Sequence, residues 1–96
     1  AARLGEFLLA ELRALKRRFP FLGDVRGRGL MIGLDFGDPD HPQPDLRDKA
    51  VRLAFEKGLL LLPAGPSALR IAPPLVLTQE EAALGLEILE EVFRAL

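Results

Sequence analysis

The first apolar residues of the chain fall at Leu4, Leu8, Leu12, Leu15 and Phe19. Steps of three and four put them on one face of a helix, with Glu6, Glu11, Arg13, Arg17 and Arg18 mostly elsewhere. Lys16, Arg17 and Arg18 occupy the last turn, where positive charge complements the helix dipole, and Pro20 ends the helix. The cluster is read as dipole complement and solvated surface. The period then changes. Leu30, Met31, Ile32, Leu34 and Phe36 form an apolar run interrupted by Gly33, the pattern of a buried strand with a bulge or a close backbone approach. Gly27 and Gly29 flank Arg28 and predict a sharp bend ahead of that strand. Residues 37–45, GDPDHPQPD, carry the turn chemistry of a surface loop.

Asp45 is expected to cap a second helix over about residues 46–57, with Leu46, Ala50, Leu53 and Ala54 inward and Gly58 as its stop. Leu59 to Leu62 is a continuous apolar run closed by Pro63 and reads as a central strand. PAGPS makes a turn. Residues 69–72 form another strand, with Leu69 and Ile71 on one face, Arg70 on the other, and Pro73 and Pro74 ending its pairing. Thr78 and Glu81 have capping-box spacing and open a last helix that buries Ala82, Leu86, Leu89, Phe93 and Leu96. The order predicts an α+β fold: a small, mostly antiparallel sheet of three to four strands covered by helices, as a single domain over residues 1–96.

Composition narrows the function. At 96 residues, 49% hydrophobic and 28% charged, the chain has the makeup of an ordinary globular domain. Thirteen basic residues against 14 acidic give a net charge of −1, so neither nucleic acid nor an anionic membrane is an expected partner. No apolar run approaches a membrane span and no signal-peptide pattern opens the chain, which favours a cytoplasmic protein. With no cysteine there is no disulfide, thiolate metal site or cysteine nucleophile. Ser67 and Thr78 are the only hydroxyl residues and His41 the only histidine, poor material for a Ser-His-Asp triad. Asparagine is absent and ten of the 13 basic residues are arginine, a thermophile-like composition.

Gly27, Gly29 and Gly33 spell G-x-G-x-x-x-G, but the residues after them are strand-like and no helix starts there to meet a phosphate. A bend with a bulge is the better reading. Asp38, Asp40, His41 and Asp45 lack fixed ligand spacing, and the intervening prolines favour a solvated loop over a metal site. Arg70 sits on a short strand between a Gly/Pro turn and a Pro-Pro stop. It is either a surface arginine on the outer face of a sheet or a holder of carboxylates, whose two oxygens a guanidinium fork matches.

Together, GDVRGRGLMIG, GLLLLPAG, ALRIAPPLVLT and QEEAALGLEILEE closely resemble the C-terminal end of the class III aminotransferases. That family of pyridoxal-phosphate (PLP) enzymes includes the 4-aminobutyrate, ornithine and acetylornithine aminotransferases. The resemblance runs through residues 1–96 in order. It implies the small C-terminal domain of a fold type I PLP enzyme, whose absent large domain supplies the coenzyme-linking lysine, the Asp facing the pyridine nitrogen and the phosphate cup. Lys16, Lys49 and Lys57 do not match the family's lysine motif. The isolated chain is therefore expected to hold no cofactor, contain no catalytic residue or metal, and be inactive.

What the resemblance assigns here is Arg70, the arginine of R-x-x-P-P-L, as the group gripping a substrate carboxylate. Many relatives carry Asn three residues earlier, where this chain has Ser67. The implied reaction moves an amino group from an amine or amino acid such as 4-aminobutyrate to a 2-oxo acid, in a homodimeric parent. The alternatives are an acetylornithine or ornithine aminotransferase segment, or a stand-alone amino-acid-binding regulatory module.

Overall fold

The computed structural model describes residues 2–28, 31–38, 40–71 and 78–96. Helix α1 is Ala2–Arg18, followed by strands β1 (Leu22–Arg28), β2 (Met31–Asp38) and β3 (His41–Pro42). Helix α2 (Pro44–Glu56), strands β4 (Leu62–Ala64) and β5 (Ala68–Ile71), and helix α3 (Gln79–Ala95) complete the chain. The sheet has order β1-β2-β5-β4, every described pairing is antiparallel, and β3 adds to β2. This is the expected α+β fold.

Alternation sets the two faces of the sheet. Leu22, Val25, Ile32, Leu34, Phe36 and Leu69 are buried on one face. They share a single core with Leu8, Leu12 and Leu15 of α1, Ala50 and Ala54 of α2, and Ala82, Leu89, Val92 and Phe93 of α3. Phe36 and Phe93 meet edge-on with ring centres 6.1 Å apart, and Phe19 and Phe21 pack against Phe93 at 5.7 Å. The predicted stripe of α1 is the buried one. In α3, Val92 is buried where Leu86 and Leu96 were expected, and those two are half-buried. Burial of this apolar surface supplies most of the driving force for folding.

Five sequence expectations are corrected. Gly27 and Arg28, read as part of a bend, belong to strand β1, which pairs with β2 from Leu22 to Arg28. The irregularity lies at Gly23, between Leu22 and Asp24, and not at Gly33. A Cβ at Gly23 would stand 1.7 Å from the Gly37 carbonyl oxygen, so the close approach at this bulge requires glycine. Asp45 does not cap α2. Gln43 occupies that position with no side-chain cap hydrogen bond, Pro44 opens the helix, and Asp45 lies in its first turn. Finally, the apolar run 59–62 is not a central strand. Only Leu61 is buried there, and strand β4 begins at Leu62 and lies at the edge, where Pro63 need not donate to a neighbour. Part of the 37–45 loop pairs too, as β3. Gly29, Leu30, Pro39 and residues 72–77, with Pro73 and Pro74, lie outside the described residues.

Candidate carboxylate site on the open face of the sheet

The face of the sheet away from the core carries Arg26, Asp35 and Arg70. Strand pairing puts Arg26, Gly33, Arg70 and Leu62 in one row across β1, β2, β5 and β4. Antiparallel partners project to the same side, so Arg70 points away from buried Leu69, as the sequence predicted. Its guanidinium is exposed, on the floor of an open groove of about 590 Å³ lined by Arg26, Gly33, Asp35, Ala68 and Arg70. Gly33 sits between the two arginines and leaves the middle of the row without a side chain. Arg26 fills some of that room, its guanidinium carbon 3.5 Å from where a Gly33 Cβ would stand.

The two arginines differ electrostatically. Arg26 Nη1 donates to Asp35 Oδ2 at 2.9 Å and reaches Asp24 Oδ2 at 3.4 Å. The hydrogen bond to Asp35, opposed in part by burial, raises the Arg26 guanidinium above its ordinary value. Arg70 has no ion-pair or hydrogen-bond partner among the described residues, in contrast to Arg26. With its donors unspent among the described residues, its planar fork is suited to a ligand's carboxylate or other planar anion.

The hairpin that carries Arg70 is held from behind by a residue the sequence reading passed over. Arg47 of α2 is only 8% exposed. Its Nη1 donates to the carbonyls of Ala68 at 2.7 Å, Gly65 at 3.2 Å and Ala64 at 3.3 Å, and its Nε donates to Asp48 at 2.7 Å. Ser67 adds a second tie: its Oγ donates to the Phe36 carbonyl and accepts from the Gln43 amide at 2.7 Å. The turn three residues before Arg70 is thus joined to β2 and to the start of α2. No motif identifies Arg47. Its signal is a charge on the same helical face as Ala50 and Ala54, three and seven residues on.

Gly27 and Gly33 lie on paired strands and line this groove, and among the described residues no helix begins at them to cradle a phosphate. Asp38 accepts from the amides of Asp40 at 2.9 Å and His41 at 2.8 Å, and its Oδ1 is 3.1 Å from His41 Nδ1. The His41 side chain foremost, with those amides, holds the Asp38 carboxyl below its usual range. Among the described residues no three His, Asp or Glu side chains gather as a metal-binding set, and no helix is long and apolar enough to cross a membrane.

Comparison with known proteins extends these observations. The family model described as "Aminotransferase class-III" matches residues 1–93. An alanine/serine racemase of Pyrococcus horikoshii is 43% identical over 98% of this chain and 20% of its own length. An acetylornithine aminotransferase of Gloeobacter violaceus is 43% identical over 100% of this chain and 23% of its own. The solved structure of a phospholyase from Arthrobacter, in complex with phosphoethanolamine, superposes with a TM-score of 0.92 and 32% identity, over 99% of this chain and 24% of that one. The chain thus spans about a fifth of the length of the curated relatives it matches.

Proposed function

The chain belongs to the class III aminotransferase family, and from that membership we propose that it is the small C-terminal domain of a PLP-dependent aminotransferase, contributing Arg70 as the substrate-carboxylate anchor. The observation that carries the assignment is the exposed guanidinium of Arg70 in the sheet's open groove, beside a glycine and with no partner of its own among the described residues.

The coenzyme that family membership implies does not fit the described residues. Lys16 and Lys49 are exposed on helices, Lys57 follows α2 and lies 3.3 Å from Glu91, and none lines the groove. The remainder of a longer protein would hold PLP and carry out the chemistry. This chain's part is binding and orientation. Anchoring a carboxylate at a fixed point fixes where the substrate's amino group is delivered, which removes translational and rotational freedom before reaction. A charge-assisted pair of this kind contributes about 1.5–3 kcal/mol.

For the substrate, acetylornithine aminotransferases recur among the curated relatives, beside a 4-aminobutyrate aminotransferase. That recurrence favours an acetylornithine- or ornithine-type donor over 4-aminobutyrate, with a 2-oxo acid as acceptor. Each of these donors has a carboxylate for Arg70 to hold, as do the alanine and serine named for the racemase relative.

The test is steady-state kinetics of the full-length, PLP-loaded enzyme. N-acetylornithine, ornithine and 4-aminobutyrate are compared as donors to 2-oxoglutarate. Arg70→Ala is expected to raise KM and to lower kcat/KM at least tenfold, about 1.4 kcal/mol. Unchanged kinetics would remove Arg70 from the site. Greater kcat/KM for 4-aminobutyrate than for the other two donors would overturn the substrate preference.

A further inference from the structure

An arginine with no partner among the described residues, beside two aspartates, poses an electrostatic question. Asp35 pairs with Ala68 across β2 and β5, and Arg70 pairs with Gly33, so Asp35 and Arg70 are diagonal neighbours on one face. Diagonal neighbours of this kind have Cα atoms about 7–8 Å apart, within the span of an arginine and an aspartate side chain. An Asp35–Arg70 pair would occupy the donors that a ligand carboxylate needs. The structure forms another pair instead: Asp35 is held by Arg26 at 2.9 Å, and Arg26 also draws Asp24 at 3.4 Å. The Arg26 guanidinium lies in ordinary contact distance, 3.5 Å, of where a Gly33 Cβ would stand, over the strand between Asp35 and Arg70.

We propose that Arg26 is a positioning residue that keeps Arg70 available to anionic ligands by sequestering Asp35. The inference rests on the carboxylate reading of Arg70 and deepens it, because it names the groups that hold the anchor open. Arg26 need not touch the substrate. It acts by fixing a competing carboxylate and offsetting the negative charge of Asp24 and Asp35 at the groove. Without it, Asp35 turns across β2 to Arg70 and competes with ligand.

The proposal separates a shielding role from a structural one. Removing the Arg26 side chain exposes the competitor, and neutralising Asp35 as well removes the competitor without rebuilding the ion pair. In the full-length, PLP-loaded enzyme, Arg26→Ala is expected to raise KM for a carboxylate-bearing donor about tenfold, with kcat changed less than twofold. The double variant Arg26→Ala/Asp35→Asn is expected to return KM to within about threefold of the parent, and Arg26→Lys to stay close to it.

A second readout does not depend on activity. Modification of Arg70 by phenylglyoxal, followed by peptide mass spectrometry, should slow severalfold in Arg26→Ala and recover in the double variant. A double variant as impaired as the single in KM and labelling overturns the proposal, as does an unaltered labelling rate in Arg26→Ala. If labelling responds as described while Arg70→Ala leaves KM unchanged, shielding by Arg26 stands and the carboxylate assignment falls.

Discussion

A buried guanidinium has to satisfy its donors inside the protein, and Arg47 does so on the carbonyls of Ala64, Gly65 and Ala68. Arg70, five residues beyond Gly65, has no such partner among the described residues. The same side chain meets two environments because one stands under the hairpin and the other on its open face. Arg47→Met is expected to lower the unfolding free energy by about 2 kcal/mol, since it strands carbonyls that water reaches only in part. Arg47→Lys should recover less than half of that, because an ammonium lacks the planar fork. Urea denaturation of the three proteins checks both numbers, and equal stability of all three would show that solvent replaces the guanidinium. In the sequence Arg47 and Arg52 are two charges on one helix, and only spacing from Ala50 and Ala54 sets Arg47 on the inward face. The packing of α2 under the β4–β5 turn then leaves Arg47 buried and Arg52 exposed.

Elements whose signals are local in the chain are the ones the sequence located well. Thr78 Oγ1 accepts from the Glu81 amide at 3.1 Å and Glu81 reaches back to the Thr78 amide at 3.1 Å, the capping box expected from spacing alone. Thr78→Ala should cost about 1 kcal/mol, read as a lower thermal midpoint with the native fold retained. An unchanged midpoint would mean that the first turn of α3 is frayed in solution. Strand β1 was not legible, because Leu22–Arg28 holds two glycines and only two apolar residues and owes its form to the six pairs it makes with β2. Strand β4 was legible as an apolar run but not in its limits or position. Sheet order depends on contacts remote in sequence, and no local periodicity encodes which strand stands at an edge.

Across the whole molecule, large apolar side chains remain on the outside. Met31 and Leu62 are 52% and 45% exposed on the sheet face that carries Arg70, and Phe55, Leu60 and Leu84 are 70%, 66% and 57% exposed elsewhere. The chain spans about a fifth of the length of its curated relatives, and on the proposed reading such surfaces would face other parts of a longer protein. The 96-residue chain by itself is therefore expected to self-associate as concentration rises, and Leu62→Ser with Met31→Ser to reduce that association. Sedimentation velocity over a concentration series gives the answer. A monomer at every concentration would show that these side chains are too dispersed to act as a patch.

The sequence by itself determined the helices, the core stripe of α1, the outward direction of Arg70 and, through four linked motifs, the family. Each depends on spacing along the chain: 3.6 residues for a helical face, two for a strand, three for a cap. Tertiary structure decided the rest. It made Gly27 and Arg28 part of a strand, put β4 at the edge, buried Arg47 beneath the hairpin, and paired Arg26 with Asp35. These outcomes depend on where distant residues meet, and electrostatic and packing energies are set by separation in space, which a linear pattern does not contain.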